Sequence, residues 1–175
     1  MNRNISFQGA HYLGEEGTRF RVWAPEAERI EVKIVSDGGR VVPLVRGADG
    51  CHEAVVPGVE PGARYLYVIN GTEERPDPAS RFQPEGVHAP SEVINPNFAW
   101  STSGWTGLSL EDYVFYELHV GTFTREGTFD AIIPHLPRLR ELGVTCIELM
   151  PIAQFPGNRN WGYDGVLPYA AQSSY

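Results

Sequence analysis

The feature that most constrains the fold is a change of hydrophobic period near residue 100. Before it, apolar residues recur at every second position. Over residues 18–24 the sequence Thr-Arg-Phe-Arg-Val-Trp-Ala places Phe20 and Val22 on one face, with Arg19 and Arg21 on the other. Ile30, Val32 and Ile34 alternate with Glu31 and Lys33, and residues 64–69, Arg-Tyr-Leu-Tyr-Val-Ile, are strand-forming types. Side chains alternate across a strand, so this period predicts half-buried strands. Turn signals separate them: Asp37-Gly38-Gly39, Asp49-Gly50, Pro61-Gly62 and Asn70-Gly71. Asn and Gly both tolerate positive φ, so Asn70-Gly71 predicts a hairpin turn. Short strands between such turns predict an antiparallel, immunoglobulin-like β-sandwich over residues 1–97.

Between residues 75 and 96 the alternation stops. Five prolines, at 76, 78, 84, 90 and 96, each remove a backbone donor and fix φ. An ordered, extended connector is expected, with Phe82, Val87 and Ile94 free to pack on a neighbour. Residues 98–111 read as a linker, where Trp100 and Trp105 are expected to dock one domain on the other.

From residue 112 the pattern differs. Residues 113–120, Tyr-Val-Phe-Tyr-Glu-Leu-His-Val, form a nearly continuous apolar run. Over 128–142 the spacing is helical: Phe129, Ile132, Ile133, Leu136, Leu139 and Leu142 share a face. Thr128 is a suitable N-cap and Gly143 a suitable stop. An interior proline costs about 3 kcal/mol, so Pro134 and Pro137 predict a break at 134–137. Residues 144–150 are a second apolar run, ended by Pro151. This is strand, helix, strand, with both strands expected to be buried on two faces, as in a helix-covered parallel sheet.

Charge narrows the function. The net charge is −8, and binding to nucleic-acid phosphates needs a basic face, so nucleic acid is not an expected partner. Cys51 and Cys146 fit no metal or redox spacing and read as free thiols of a reducing compartment. The start MNRNISFQGA has no apolar run resembling a secretion signal, and no stretch has the length of a membrane span. A cytoplasmic protein with no metal, cofactor or membrane partner is expected.

Three blocks carry chemistry: residues 116–124, Tyr-Glu-Leu-His-Val-Gly-Thr-Phe-Thr; residues 141–151, Glu-Leu-Gly-Val-Thr-Cys-Ile-Glu-Leu-Met-Pro; and residues 160–166, Asn-Trp-Gly-Tyr-Asp-Gly-Val. In order and spacing they resemble the first barrel strand, the second barrel strand and the following aromatic loop of the α-amylase superfamily, glycoside hydrolase family 13. Residues 75–81, Arg-Pro-Asp-Pro-Ala-Ser-Arg, and 154–157, Gln-Phe-Pro-Gly, add to the resemblance. Pro134 and Asn95 depart from it, and both bear on local structure only.

The resemblance implies a sandwich of the branching-enzyme N-terminal type, with Trp23 in its core, followed by a (β/α)8 barrel, of which residues 112–175 are the incomplete β-α-β start. It implies hydrolysis of α-1,4 bonds in an α-glucan by a retaining, two-carboxylate mechanism. In the family those carboxylates follow strands four and five, with a third acid after strand seven. The catalytic residues are therefore expected outside residues 1–175, and this segment is expected to be inactive alone. Glu117 and Glu148 receive no catalytic role, and His119 is expected to be packed and hydrogen-bonded.

Tyr163 and Asp164 are the implied substrate-binding residues. An aromatic in this loop stacks on the sugar ring, whose apolar, slightly positive C–H face suits a π face. An adjacent carboxylate accepts hydrogen bonds from sugar hydroxyls. The alternative is a tyrosine that closes the loop and an aspartate that caps its turn, with Trp161 packing behind. The expected partner is a maltooligosaccharide or other α-glucan. Alternative functions are a fragment of a glycogen branching or debranching enzyme, and a stand-alone glucan-binding module. The unpaired edges of a two-stranded barrel start are also expected to favour self-association.

Overall fold

A computed structural model of the chain describes residues 7–175. Nine strands make up its first half: β1 (Gly9–Tyr12), β2 (Thr18–Trp23), β3 (Ile30–Ile34), β4 (Arg40–Pro43), β5 (Val45–Arg46), β6 (Cys51–Val56), β7 (Arg64–Ile69), β8 (Glu73–Arg75) and β9 (Ser91–Glu92). One sheet has the order β1-β2-β6-β5 and the other β4-β3-β7-β8, with β9 also pairing β7. All of these pairings are antiparallel. Phe20, Val22 and Val56 of the first sheet meet Ile30, Val32, Ile34, Tyr65 and Tyr67 of the second in one core. The rings of Phe20 and Tyr65 cross edge to face, 4.9 Å apart. Each large side chain buried here contributes about 1.5–3 kcal/mol. The expected sandwich is present, because the period-two runs supply its inward faces.

The Asn70-Gly71 turn forms as expected. Asn70 has φ 51° and Gly71 φ 75°, and the Thr72 amide donates to the Ile69 carbonyl at 3.1 Å. The Asn70 carboxamide oxygen also accepts from the amides of Glu28 and Arg29, at 3.0 and 3.1 Å.

Two sandwich expectations need correction. Trp23 is 63% exposed and lies outside the core. The inward positions of β2 are Thr18, Phe20 and Val22, so Trp23 has the outward parity of Arg19 and Arg21. The proline-rich stretch is also more than a connector, because it forms a wall of the sandwich. Asp77, Ser80, Gln83 and Ser91 are fully buried, and β9 adds to the second sheet. Prolines cannot supply ladder donors, so side chains satisfy the polar groups here. Tyr65 Oη donates to Asp77 Oδ2 at 2.7 Å, and the Ala79 amide donates to Asp77 Oδ1 at 2.8 Å. Gln83 donates to the Gly86 and Ala89 carbonyls at 3.0 and 3.1 Å. Burial pushes the Asp77 carboxyl up to about 6, against the hydrogen bonds from Tyr65 and Ala79.

The second half begins after residues 98–111, on which Trp100 and Trp105 are 78% and 72% exposed. Trp100 meets Phe98 edge to face at 4.7 Å, and neither tryptophan lies in a core of the described residues. They do not dock the two halves as expected. Then come β10 (Phe115–Leu118), α1 (Val120–Phe123), α2 (Phe129–Ile132), a 3-10 turn at Ile133–His135, α3 (Leu136–Glu141), β11 (Cys146–Leu149), β12 (Ala153–Gln154) and β13 (Leu167–Ala171). β10 and β11 pair in parallel, from Phe115 opposite Cys146 to Leu118 opposite Leu149.

The helical region is broken where expected. The Thr128 hydroxyl accepts from the Ala131 amide at 3.3 Å, capping α2. Pro134 and Pro137 stand in the first turns of the 3-10 segment and of α3, where a missing N–H costs little. Leu118, Val120 and Ile132 form a small core, with Tyr116 and Ile147 packed against it. The opposite face of the β10–β11 pair is open. Phe115 is 59% exposed, and Glu117 and Glu148 are exposed beside it. Burial on two faces is therefore not observed among the described residues, because the helices lie against only one face. Cys51 and Cys146 are free thiols, and no helix of the described residues is long and apolar enough to cross a membrane.

Candidate substrate-binding site

At the end of β10 the chain turns into α1 through His119, which is buried. His119 Nε2 lies 2.6 Å from the backbone carbonyl of Asn160. A carbonyl only accepts, so Nε2 carries the hydrogen. Nδ1 then accepts from the Thr122 hydroxyl at 3.3 Å. The Tyr175 hydroxyl stands 3.2 Å from the same Nε2, and its ring meets His119 edge to face.

Asn160 organises the loop that follows β12. Its Oδ1 accepts from the amides of Gly162 and Asp164, at 2.6 and 3.4 Å, and its Nδ2 donates to Asp164 Oδ2 at 2.8 Å. This is an Asn turn, in which a short side chain replaces a backbone partner. Gly162 has φ 99° and packs on the Pro151 carbonyl so closely that a Cβ would collide with it. Two buried glutamines secure the base. Gln154 Oε1 accepts from the Ser173 amide at 2.9 Å. Gln172 Oε1 accepts from the Phe155 amide, and its Nε2 donates to the Gly157 carbonyl, each at 3.1 Å.

These elements enclose a cavity of about 660 Å³ lined by His119, Thr122, Asn158, Arg159, Trp161 and Asp164, among others. Trp161 is 69% exposed, with its ring 6.0 Å from that of His119. Asp164 is thus on the cavity wall. Tyr163, 71% exposed, stands beside it in the loop but is not part of that wall. The wall offers donors from Asn158 and Arg159, an acceptor in Asp164 and an aromatic face in Trp161. That set suits a neutral, polyhydroxylated ring. Among the described residues Asp164 is the wall's only carboxylate, so the cavity holds no acid–nucleophile pair. Glu117 and Glu148 face each other in register across β10 and β11, outside the cavity.

His119 is packed and hydrogen-bonded as expected, yet it also lines the cavity. The part played by Asn160 was not read from the sequence, although an Asn two residues before a Gly and four before an Asp is a turn signal. Arg159 and Asn158 carried no signal beyond a polar loop.

Residues 8–84 match the model of carbohydrate-binding module 48, the isoamylase N-terminal domain. The malto-oligosyltrehalose trehalohydrolase of Saccharolobus solfataricus is 49% identical over 163 residues, covering 93% of this chain and 29% of that protein. This chain is a relative of the malto-oligosyltrehalose trehalohydrolases. A crystal structure of a putative α-amylase from Salmonella typhimurium superposes with a TM-score of 0.88 at 45% identity, over 96% of this chain and 28% of that one. A 1,4-alpha-glucan branching enzyme of Nitrosomonas eutropha is 35% identical, over 100% of this chain and 28% of that enzyme. The chain thus spans under a third of the length of the trehalohydrolase and of the other relatives it matches. The N-terminal sandwich is the part that the module covers, and the full-length trehalohydrolase relatives are glycoside hydrolases.

Proposed function

We propose that the chain is the N-terminal part of an enzyme that hydrolyses the α-1,4 bond next to the terminal trehalose unit of maltooligosyltrehalose, releasing trehalose. The observation that carries this reading is the 49% identity to a trehalohydrolase over 93% of the chain, which takes in both halves. Residues 1–97 are then a carbohydrate-binding sandwich, 98–111 a linker, and β10 to β11 the first strand–helix–strand of a (β/α)8 barrel. A barrel places substrate loops at the C-terminal ends of its strands. The His119 turn and the 155–166 loop follow the C-terminal ends of β10 and β11, which agrees with that placement.

In this reading Tyr163 stacks on a glucosyl ring, and Asp164, held by Asn160, accepts hydrogen bonds from its hydroxyls. His119 positions the loop through the Asn160 carbonyl. A retaining mechanism needs a nucleophile and an acid/base about 5–5.5 Å apart. Those groups come from barrel strands beyond these two, consistent with a cavity wall that holds a single carboxylate among the described residues. The 35% identity to a branching enzyme favours a second reading, a glycogen branching or debranching enzyme. Product analysis separates them. The full-length protein incubated with maltooligosyltrehalose should release free trehalose and leave amylose unbranched. New α-1,6 branches in amylose without trehalose release would establish the second reading instead.

A further inference from the structure

A second group of aromatic side chains takes no part in the cavity at His119. Trp23 points outward from β2 and is 63% exposed, and Tyr169 of β13 is 68% exposed. They come from different halves of the chain, yet both line one hollow of about 200 Å³, based on Val22, Pro78 and Ala79. A second hollow of about 290 Å³ shares Gln8, Ala79 and Tyr169 with the first and adds Phe7 and Arg81. Together they form a groove where the sandwich meets β13.

The groove is preformed. Ala79 is fixed by the bond from its amide to the buried Asp77 carboxylate, at 2.8 Å. Gly50, at φ 77°, comes so close to Pro25 and to the Trp23 indole nitrogen that a Cβ there would crowd both. That contact holds the indole against the turn before β6. Gln8 lines both hollows and donates to Cys51 Sγ at 3.3 Å, while its Oε1 is buried without a partner among the described residues. The ligand must then offer apolar faces to two aromatic rings and hydroxyls to the polar rim that Gln8 and Arg81 supply. Arg21, which also lines the groove, is already paired with Asp49 and Glu53, and Arg81 lies against the His11 ring at 3.1 Å.

We propose that the groove between Trp23 and Tyr169 is a second binding site for an α-1,4-glucan segment, separate from the cavity at His119. It rests on the proposed function for the class of ligand only. Because its two platforms belong to different halves, a bound glucan would bridge them.

The test is a titration of residues 1–175 with maltoheptaose, followed by 15N-resolved NMR and tryptophan fluorescence. The Trp23 indole N–H and the Ala79 amide should shift saturably. Trp23→Ala and Tyr169→Ala should each weaken the binding seen at these signals by about tenfold, and Trp23→Phe, which keeps an aromatic face, by only about twofold. Tyr163→Ala should leave the Trp23 shift unchanged. A Trp23 indole that stays unmoved at millimolar maltoheptaose overturns the proposal, even if the variants fail to fold. Unmoved Trp23 with a shifted Trp161 indole would overturn the groove and leave the cavity reading standing. The reverse pattern would support the groove and remove the support for the cavity.

Discussion

His119 Nε2 lies 2.6 Å from the Asn160 carbonyl, and this one bond ties the end of β10 to the loop that carries Trp161, Tyr163 and Asp164. The two residues are 41 positions apart, so the contact locks a β10 end to a loop that β11 and β12 position from the other side. His119→Ala removes this bond from the half-buried Asn160 and should cost about 0.5–1.5 kcal/mol. Urea denaturation would measure the loss. Hydrogen exchange would place it: amides of residues 160–165 should exchange faster, while those of β2 and β7 should not. Uniform acceleration in both halves would contradict the tie.

Asp77 gives the sandwich a pH dependence with a definite sign. Its carboxyl is raised in the fold, to about 6 from an ordinary 3.8, because burial penalises the charged form. A raised folded value means the native state holds the proton more tightly than the unfolded chain. Its contribution is therefore complete below about pH 4 and is lost as pH rises through about 6. Neighbouring Arg81 opposes the shift only weakly. Asp77→Asn, which keeps an acceptor for Tyr65, should gain on the native chain by about 3 kcal/mol between pH 4 and pH 7. Parallel stability curves for the two proteins over that range would show that Asp77 does not titrate as described.

Residues 1–175 alone should release no trehalose from maltooligosyltrehalose, because among the described residues the only carboxylate on the cavity wall is Asp164. Chromatography of the products against a blank would check this. Measurable release would require a catalytic pair within these residues, and Glu117 with Glu148 would then be the first suspects.

The open face of β10 and β11 should make the second half adhesive. Phe115 on that face is 59% exposed, while Leu149 at the end of β11 and Leu142 of the helical region are 39% and 75% exposed elsewhere on this half. Sedimentation of residues 1–175 should show association that rises with concentration. A strict monomer at all concentrations would mean that these side chains are tolerated in water.

Much of the sandwich was legible because period-two alternation is a local signal with a single geometric meaning. Thr18, Phe20 and Val22, and Ile30, Val32 and Ile34, face inward as the pattern requires. Trp23 departs from the family resemblance, which places it in the core, because it has the outward parity of Arg19 and Arg21. The β4 and β5 strands left no pattern, since Val41 and Val45, 46% and 75% exposed, sit on edges where neither face is consistently covered. The wall formed by residues 75–96 was hidden for another reason. Its burial depends on Asp77, Ser80, Gln83 and Ser91, polar residues that can be buried only once tertiary partners exist. In the cavity, Asp164 was legible from a sequence motif. Asn160 and the His119 bond were not, because a contact across 41 positions has no local signature.

The most direct measurement is the kinetics of Tyr163→Ala in the full-length enzyme acting on maltooligosyltrehalose. As a platform for a glucosyl ring, Tyr163 should lower kcat/KM at least about tenfold when removed, equivalent to about 1.4 kcal/mol of transition-state binding. Tyr163→Phe, which keeps the ring, should be much milder. Wild-type kcat/KM in a folded Tyr163→Ala enzyme would contradict the stacking role and, with it, the assignment of this loop to the substrate.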